Sequence, residues 1–300
     1  MPTEPASNGV RRERGARRPR GGIVLTSLKV RALSVAFLAR LSTGDHYRSL
    51  FASVKTRNEC LRKLYDHGYL DRVFEPAHPF GKPIYRIGGK GVPVAAAALR
   101  ARGLELDEEA VRAIARKPAQ AEHALRVADV YAALCLDSGR DKGHIAPRFL
   151  PEALVRFDYE ARSGEGRWRR RCFAPDGALL AGDGAAASAV FLEIDMASVG
   201  LACFAAKVES FNHVRSAGLA GGRTGCPQAV LAVVTVSEQR LRRLLSVAGA
   251  SNNPGGGRIL ATTFDEIGRH GITASWWQPG GGQLTLADIL GRIGGRACSA

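Results

Sequence analysis

Across residues 28–41 apolar side chains return at roughly helical spacing, through Leu28, Val30, Leu33, Val35, Phe37, Leu38 and Leu41, which predicts a mostly buried first helix. Ser42, Thr43 and Gly44 stop it. Asp45 is placed to cap a short second helix ending at Phe51, and Thr56 to cap a third in which Leu61, Leu64 and Tyr65 face inward. Gly68 closes that helix in the left-handed conformation that glycine adopts cheaply. Residues 69–74 and 83–87 are short alternating runs, and the proline-containing stretch between them reads as the loose tip of a hairpin. Three helices followed by a hairpin is the order of a winged helix-turn-helix, here spanning residues 23–92.

Two further helices are expected at 93–102 and 106–116, the second opening with Asp107, Glu108 and Glu109 at its positive dipole end. After Pro118 an amphipathic run over 122–136 predicts another, and a polar loop over 137–143 ends this helical linker. From residue 144 the pattern alternates. A helix is expected at 151–157, then strands near 168–173, 178–180 and 189–194, and a helix over 199–215. A strand at 229–236, a helix at 237–248, a strand at 258–263, a short helix and a strand at 273–277 complete it. Val233 and Val234 lie in an unbroken apolar run, the mark of a central buried strand. The fold class is therefore α+β: a winged helix-turn-helix, then a mixed-sheet α/β domain over 144–280 and a tail over 281–300.

Composition narrows the partners. A chain of 300 residues has room for two ordinary domains. No apolar run approaches the roughly 18 residues that span a bilayer, so no membrane partner is expected. The formal net charge of +15 favours a polyanion, with nucleic acid as the default candidate, and the winged helix-turn-helix makes double-stranded DNA the expected partner. Part of the excess lies in residues 1–22, where Arg11, Arg12, Arg14, Arg17, Arg18 and Arg20 crowd among small and polar residues and predict a disordered basic arm. That segment lacks the apolar stretch of a secretory signal, and a cytoplasmic location is expected. Cys60, Cys135, Cys172, Cys203, Cys226 and Cys298 form no C-x-x-C pair and are read as reduced thiols, mostly core filler.

On the third helix the outward residues are Arg57, Asn58, Arg62 and Lys63, whose donors suit base edges and phosphates in a major groove, while Arg72 and Lys82 are expected on the wing near the backbone. In the second domain three carboxylates matter. Asp176 stands in Pro175-Asp-Gly177 beside one predicted strand, and Glu193 and Asp195 flank Ile194 on the next. Residues two apart on a strand share a face, so Glu193 and Asp195 are expected to project together with Asp176 alongside. Three hard oxygen donors suit Mg2+ or Mn2+, which holds a phosphate and acidifies a water. Lys207, on the following helix, is the cation expected to reach the same place.

The order of a helix, strands, Asp176, Glu193-x-Asp195, a helix and a buried strand resembles the PD-(D/E)XK nuclease core. That resemblance implies metal binding by Asp176, Glu193 and Asp195, and catalysis by these three with Lys207. The lysine of that motif, two residues after the glutamate, is replaced here by Asp195, so Lys207 is the substitute from the helix. More specifically, residues 28–280 resemble the replication-relaxation family of plasmid and mobile-element proteins. The resemblance rests on His67-Gly-Tyr-Leu70, Tyr85-Arg-Ile87, Glu122-His-Ala-Leu125, Pro175-Asp-Gly177, Phe191-Leu-Glu-Ile-Asp195, Lys207 and Phe211. Met196 stands where the family often has a basic residue. The resemblance implies work on DNA in replication or relaxation, with replication or relaxosome proteins as further partners, and because winged-helix proteins often act as dimers a homodimer is expected as well.

Blander readings stay open at this level. Pro-Asp-Gly is also a common turn, and Glu193 and Asp195 also suit a solvated strand end. The glycine-rich pieces at 218–225, 255–257 and 280–282 lack the signature of a phosphate loop and are read as connections. Trp276 and Trp277 alternate on a terminal strand, so at least one belongs to the core. Two functions follow: a metal-dependent endonuclease or nickase, or an accessory DNA-binding protein whose nuclease-like domain serves for dimerisation or docking.

Overall fold

The structure is a computed structural model that describes residues 22–73, 82–137, 147–162, 166–181, 187–251, 259–286 and 288–289. The basic arm expected over 1–22 lies almost wholly outside these residues, as do the hairpin tip, most of the loop after residue 137, Gly255 to Gly257, Cys298 and most of the C-terminal tail. The chain divides into two compact units, residues 1–37 with 41–105, and residues 38–40 with 106–300. The helices expected as a linker are thus shared out between the units.

In the first unit, α1 (Ser27–Ala39) leads into β1 (Ser42–Thr43), a 3-10 turn over Gly44–Leu50 and α2 (Val54–Asp66). The hairpin β2 (Leu70–Val73) and β3 (Ile84–Ile87) joins β1 in a three-stranded antiparallel sheet with β3 central, and α3 (Gly91–Arg100) follows. This is the winged-helix order. Leu33, Phe37, Tyr47, Leu61, Leu64 and Leu70 fill the core. Two caps differ from expectation. Ser53 caps α2, its hydroxyl accepting from the Thr56 N–H at 3.1 Å. Thr43 opens the 3-10 turn, its N–H donating to His46 Nδ1 at 2.9 Å. A residue must stay extended to turn its side chain back onto the first free N–H groups, and Thr56 and Asp45 already lie inside their helices. Gly68 has φ of 77°, as the helix end requires.

The second unit opens with α4 (Glu108–Ala115), capped by Asp107, and α5 (Ala121–Tyr131), which loosens into a wider helical turn over Ala132–Leu136. Where one helix at 151–157 was expected, a 3-10 turn over Glu152–Leu154 stands between β4 (Arg148–Pro151) and β5 (Phe157–Arg162). Pro151 ends β4, and the alternation of Phe157, Tyr159 and Ala161 with polar residues makes β5. β6 (Trp168–Phe173) pairs only with β5 among the described residues. Then come β7 (Gly177–Ala181), β8 (Ser188–Asp195), α6 (Leu201–Ser216), α7 (Leu219–Thr224), β9 (Gln228–Thr235), α8 (Glu238–Ala250), β10 (Ile259–Thr263), α9 (Phe264–His270), β11 (Ser275–Trp277) and β12 (Gln283–Thr285). The glycine-rich stretch 218–225 is not all connection: α7 lies between Gly218 and Gly225, both left-handed.

The described residues place seven strands in one sheet, in the order β12-β11-β10-β9-β8-β7-β4. β8, β9 and β10 run parallel, and the outer pairings are antiparallel. α5, β4, β7, β8, α6 and β9 reproduce the helix, three-strand meander, helix and parallel strand of the PD-(D/E)XK core, with β5 and β6 inserted after β4. Every residue of β9 from Ala229 to Val234 is at most 6% exposed, as a central strand covered on both faces must be. Trp276 is fully buried and Trp277 half-buried, and Cys60, Cys135, Cys172, Cys203 and Cys226 are free thiols, Cys172 and Cys203 exposed.

Candidate functional site

Gly177 fixes where β7 begins. A Cβ there would come within 2.6 Å of the Phe149 ring and 2.9 Å of the Leu150 carbonyl on β4, so only glycine lets the two strands close. Asp176 is thereby carried to the edge of β8. Its N–H donates to the Leu192 carbonyl at 2.9 Å, and its Oδ2 accepts from the Ile194 N–H at 2.7 Å. Its Oδ1 accepts from His123 Nε2, on α5, at 2.8 Å. Pro175-Asp-Gly177 is therefore a carboxylate held from two sides rather than a solvated turn.

One strand away, Glu193 Oε2 accepts from Lys207 Nζ on α6. Burial, and then the negative charge of Asp176, push the Glu193 carboxyl up to about 7, with Lys207 pulling the other way. The hydrogen bond to Asp176 raises the His123 imidazole above its ordinary value against the cost of burial. Asp176, Glu193, Lys207 and His123 thus form one coupled group at the C-terminal end of β8.

Asp195 does not join it. Arg240, on α8, grips its carboxylate through Nε at 2.9 Å and Nη2 at 2.9 Å, and the Thr235 hydroxyl donates at 2.6 Å. Burial works to raise this carboxyl, but Arg240 and Thr235 outweigh it and leave Asp195 below the ordinary range. The expected three-carboxylate cluster is corrected to two. Strand alternation does give Glu193 and Asp195 one face, but they lie about 6–7 Å apart along it, and each is met by a different helix. Among the described residues no group of three or more His, Cys, Asp or Glu is set to hold a metal ion. Two hard oxygen donors remain, Asp176 and Glu193, and Mg2+ is commonly held by one or two carboxylates with water and phosphate completing its shell.

Sequence reasoning missed His123 and Arg240 as site residues. His123 continues the stripe of Val127 and Val130 at helical spacing, so an imidazole at the end of an inward stripe was the available signal. Arg240 had none, since its partner lies 45 residues away.

On the winged-helix unit the six basic and polar candidates divide. Asn58, Arg62 and Lys63 are exposed on α2. Lys55, three residues before Asn58 on the same face, is exposed as well and was not anticipated. Arg57 folds down, with a side chain only 12% exposed, against Asp45 at 3.4 Å. Lys82 reaches the other oxygen of Asp45 at 2.6 Å, and its hydrogen bond holds that carboxyl below its usual range. Arg72 does not stand free on the wing, because its guanidinium lies over the rings of Tyr65 and Tyr85, 4.5 and 5.5 Å from their centroids.

Among the described residues no helix is long and apolar enough to cross a membrane. No curated protein matches the sequence. Among solved structures the chain is similar to the restriction endonuclease FokI, at 11% identity, with a TM-score of 0.28 and 81% of this chain on 43% of that one. It is similar also to FokI bound to DNA, at 11% identity and a TM-score of 0.25, with 81% of this chain on 44% of that one. The chain thus spans less than half the length of either. The sequence model of the replication-relaxation family matches residues 25–230, more than half of the chain, and the chain belongs to that family.

Proposed function

We propose that this chain is a metal-dependent DNA nuclease or nickase, in which the winged helix addresses double-stranded DNA and the group around Glu193 hydrolyses a phosphodiester. The observation that carries the reading is the arrival of Lys207 at Glu193 from α6, beside Asp176. A lysine absent from its usual strand position is supplied by the helix, so a cation and two carboxylates still meet at one strand end. Membership of the replication-relaxation family points the same way.

Asp176 and Glu193 would hold Mg2+ or Mn2+. Such an ion lowers the pKa of a bound water and offsets charge on the phosphate. The chain's own residues supply the rest. The Ile194 N–H and His123 each take one oxygen of Asp176 and fix its plane. Lys207 offers a positive charge to the phosphate oxygens in a partly buried site, where such a charge acts more strongly than in open water. Asp195 and Arg240 neutralise each other, and we assign them to holding the segment between β8 and α6, where Arg240 Nη2 also donates to the Val199 carbonyl at 2.8 Å.

The test is cleavage of an end-labelled duplex with Mn2+ or with chelator. Wild type is expected to cut only with the ion, and Asp176→Asn at least a hundredfold more slowly. Cutting by Asp176→Asn at the wild-type rate would overturn the assignment.

A further inference from the structure

We infer that the β5–β6 ribbon is a second DNA-binding surface, gripping the phosphate backbone independently of the winged helix. β6 reads Trp168-Arg-Arg-Arg-Cys-Phe173, and every residue from Gly166 to Cys172 is exposed. Arg162 lies opposite Trp168 on β5 with its guanidinium 5.3 Å from that ring, and Trp168 is 63% exposed. Arg162, Arg167, Arg170 and Arg171 share the described ribbon with only two acids, and one of these, Asp158, is already held by Arg156 at 3.2 and 3.3 Å. Consecutive residues on a strand point to opposite faces, so Arg171 stands on the face of Tyr159 and Arg170 on that of Arg162 and Trp168, opposite Glu160, and the excess of positive charge along the exposed strand favours a polyanion laid against it.

The ribbon is anchored, not merely solvated. Phe173 at its base is fully buried among Phe157, Phe191 and Phe211, with ring centroids 5.6–6.0 Å from Phe173. Tyr159 stacks on His213 of α6 at 4.4 Å. Phe191 lies two residues before Glu193, and α6 also carries Lys207, so the elements that hold the ribbon are the elements that build the site. A fixed two-stranded cationic arm fits the phosphate backbone of a nucleic acid. The inference deepens the proposed function by naming how the cutting unit itself would hold DNA.

The full-length chain would be titrated with a fluorescent duplex in chelator, so that cleavage plays no part, across a series of salt concentrations. Replacing Arg167, Arg170 and Arg171 together by alanine is expected to weaken binding at least tenfold at low salt. It should also reduce the slope of log K against log salt by about 2–3, near 0.9 for each phosphate no longer neutralised. The corresponding triple lysine variant should restore both, which separates missing charge from failed folding. The Arg62→Ala, Lys63→Ala pair should add its own weakening. An alanine variant with the wild-type slope would overturn the ribbon's role, including the case in which these arginines serve an acidic protein instead. A ribbon that binds as described in a chain that never cuts would sink the nuclease reading alone.

Discussion

Glu193 and His123 carry opposite charges when ionised, yet both hold a proton more tightly in the folded chain, through burial for Glu193 and through Asp176 for His123. The sign for stability follows. Groups with raised values favour the fold fully below their unfolded values, and that contribution is lost as pH rises through the folded ones. For Glu193 the window runs from 4.5 to about 7. Glu193→Gln is therefore expected to flatten the decline in stability across that window, read by urea unfolding at a series of pH values in chelator. An unchanged pH profile would count against the raised carboxyl. Asp176→Asn removes the charge that lifts His123, so its imidazole should titrate at lower pH by NMR. Arg240→Ala leaves the buried Asp195 with the Thr235 hydroxyl but no counter-charge and is expected to cost up to about 3 kcal/mol in urea unfolding. Glu193 was legible as a candidate through strand alternation, Asp176 through its Pro-Asp-Gly segment beside a strand, and Lys207 through its place on the following helix and the family resemblance. Asp195 was misplaced because alternation fixes a face but not the helix above it. His123 meets Asp176 across 53 residues, a distance at which sequence pattern is silent.

At the scale of elements, Gly177 sets the approach of β4 to β7. Gly177→Ala is expected to destabilise by about 1–3 kcal/mol in thermal or urea unfolding, because a Cβ must displace the Phe149 ring or the strand carbonyl. Wild-type stability would mean that β4 yields freely. On α2 the exposed basic and amide side chains are Lys55, Asn58, Arg62 and Lys63. Arg62→Ala with Lys63→Ala should weaken duplex binding and shallow its salt dependence in fluorescence anisotropy, whereas Arg72→Ala should chiefly loosen packing on Tyr65 and Tyr85. Helices with a clear apolar stripe and the buried run of β9 were readable to within a few residues. The region 148–162 was not, since short strands there pair with partners far along the chain, and a proline followed by mixed residues carries no strong period of its own.

For the whole molecule, part of the strongly basic charge of +15 lies, among the described residues, on the outer face of α2 and on the arginine ribbon, one on each unit. Family membership gives the replication-relaxation context, and the nuclease proposal places its chemistry at the strand-end group of Asp176, Glu193, Lys207 and His123. The basic surfaces serve equally a protein that cuts DNA and one that only holds it, so the decision rests on Glu193. Supercoiled plasmid incubated with Mg2+ or Mn2+ puts the question directly, with the Glu193→Gln chain beside the wild type. Conversion to open circles by the wild type and none by the variant is the expected result; no conversion by the wild type, or equal conversion by both, would contradict it.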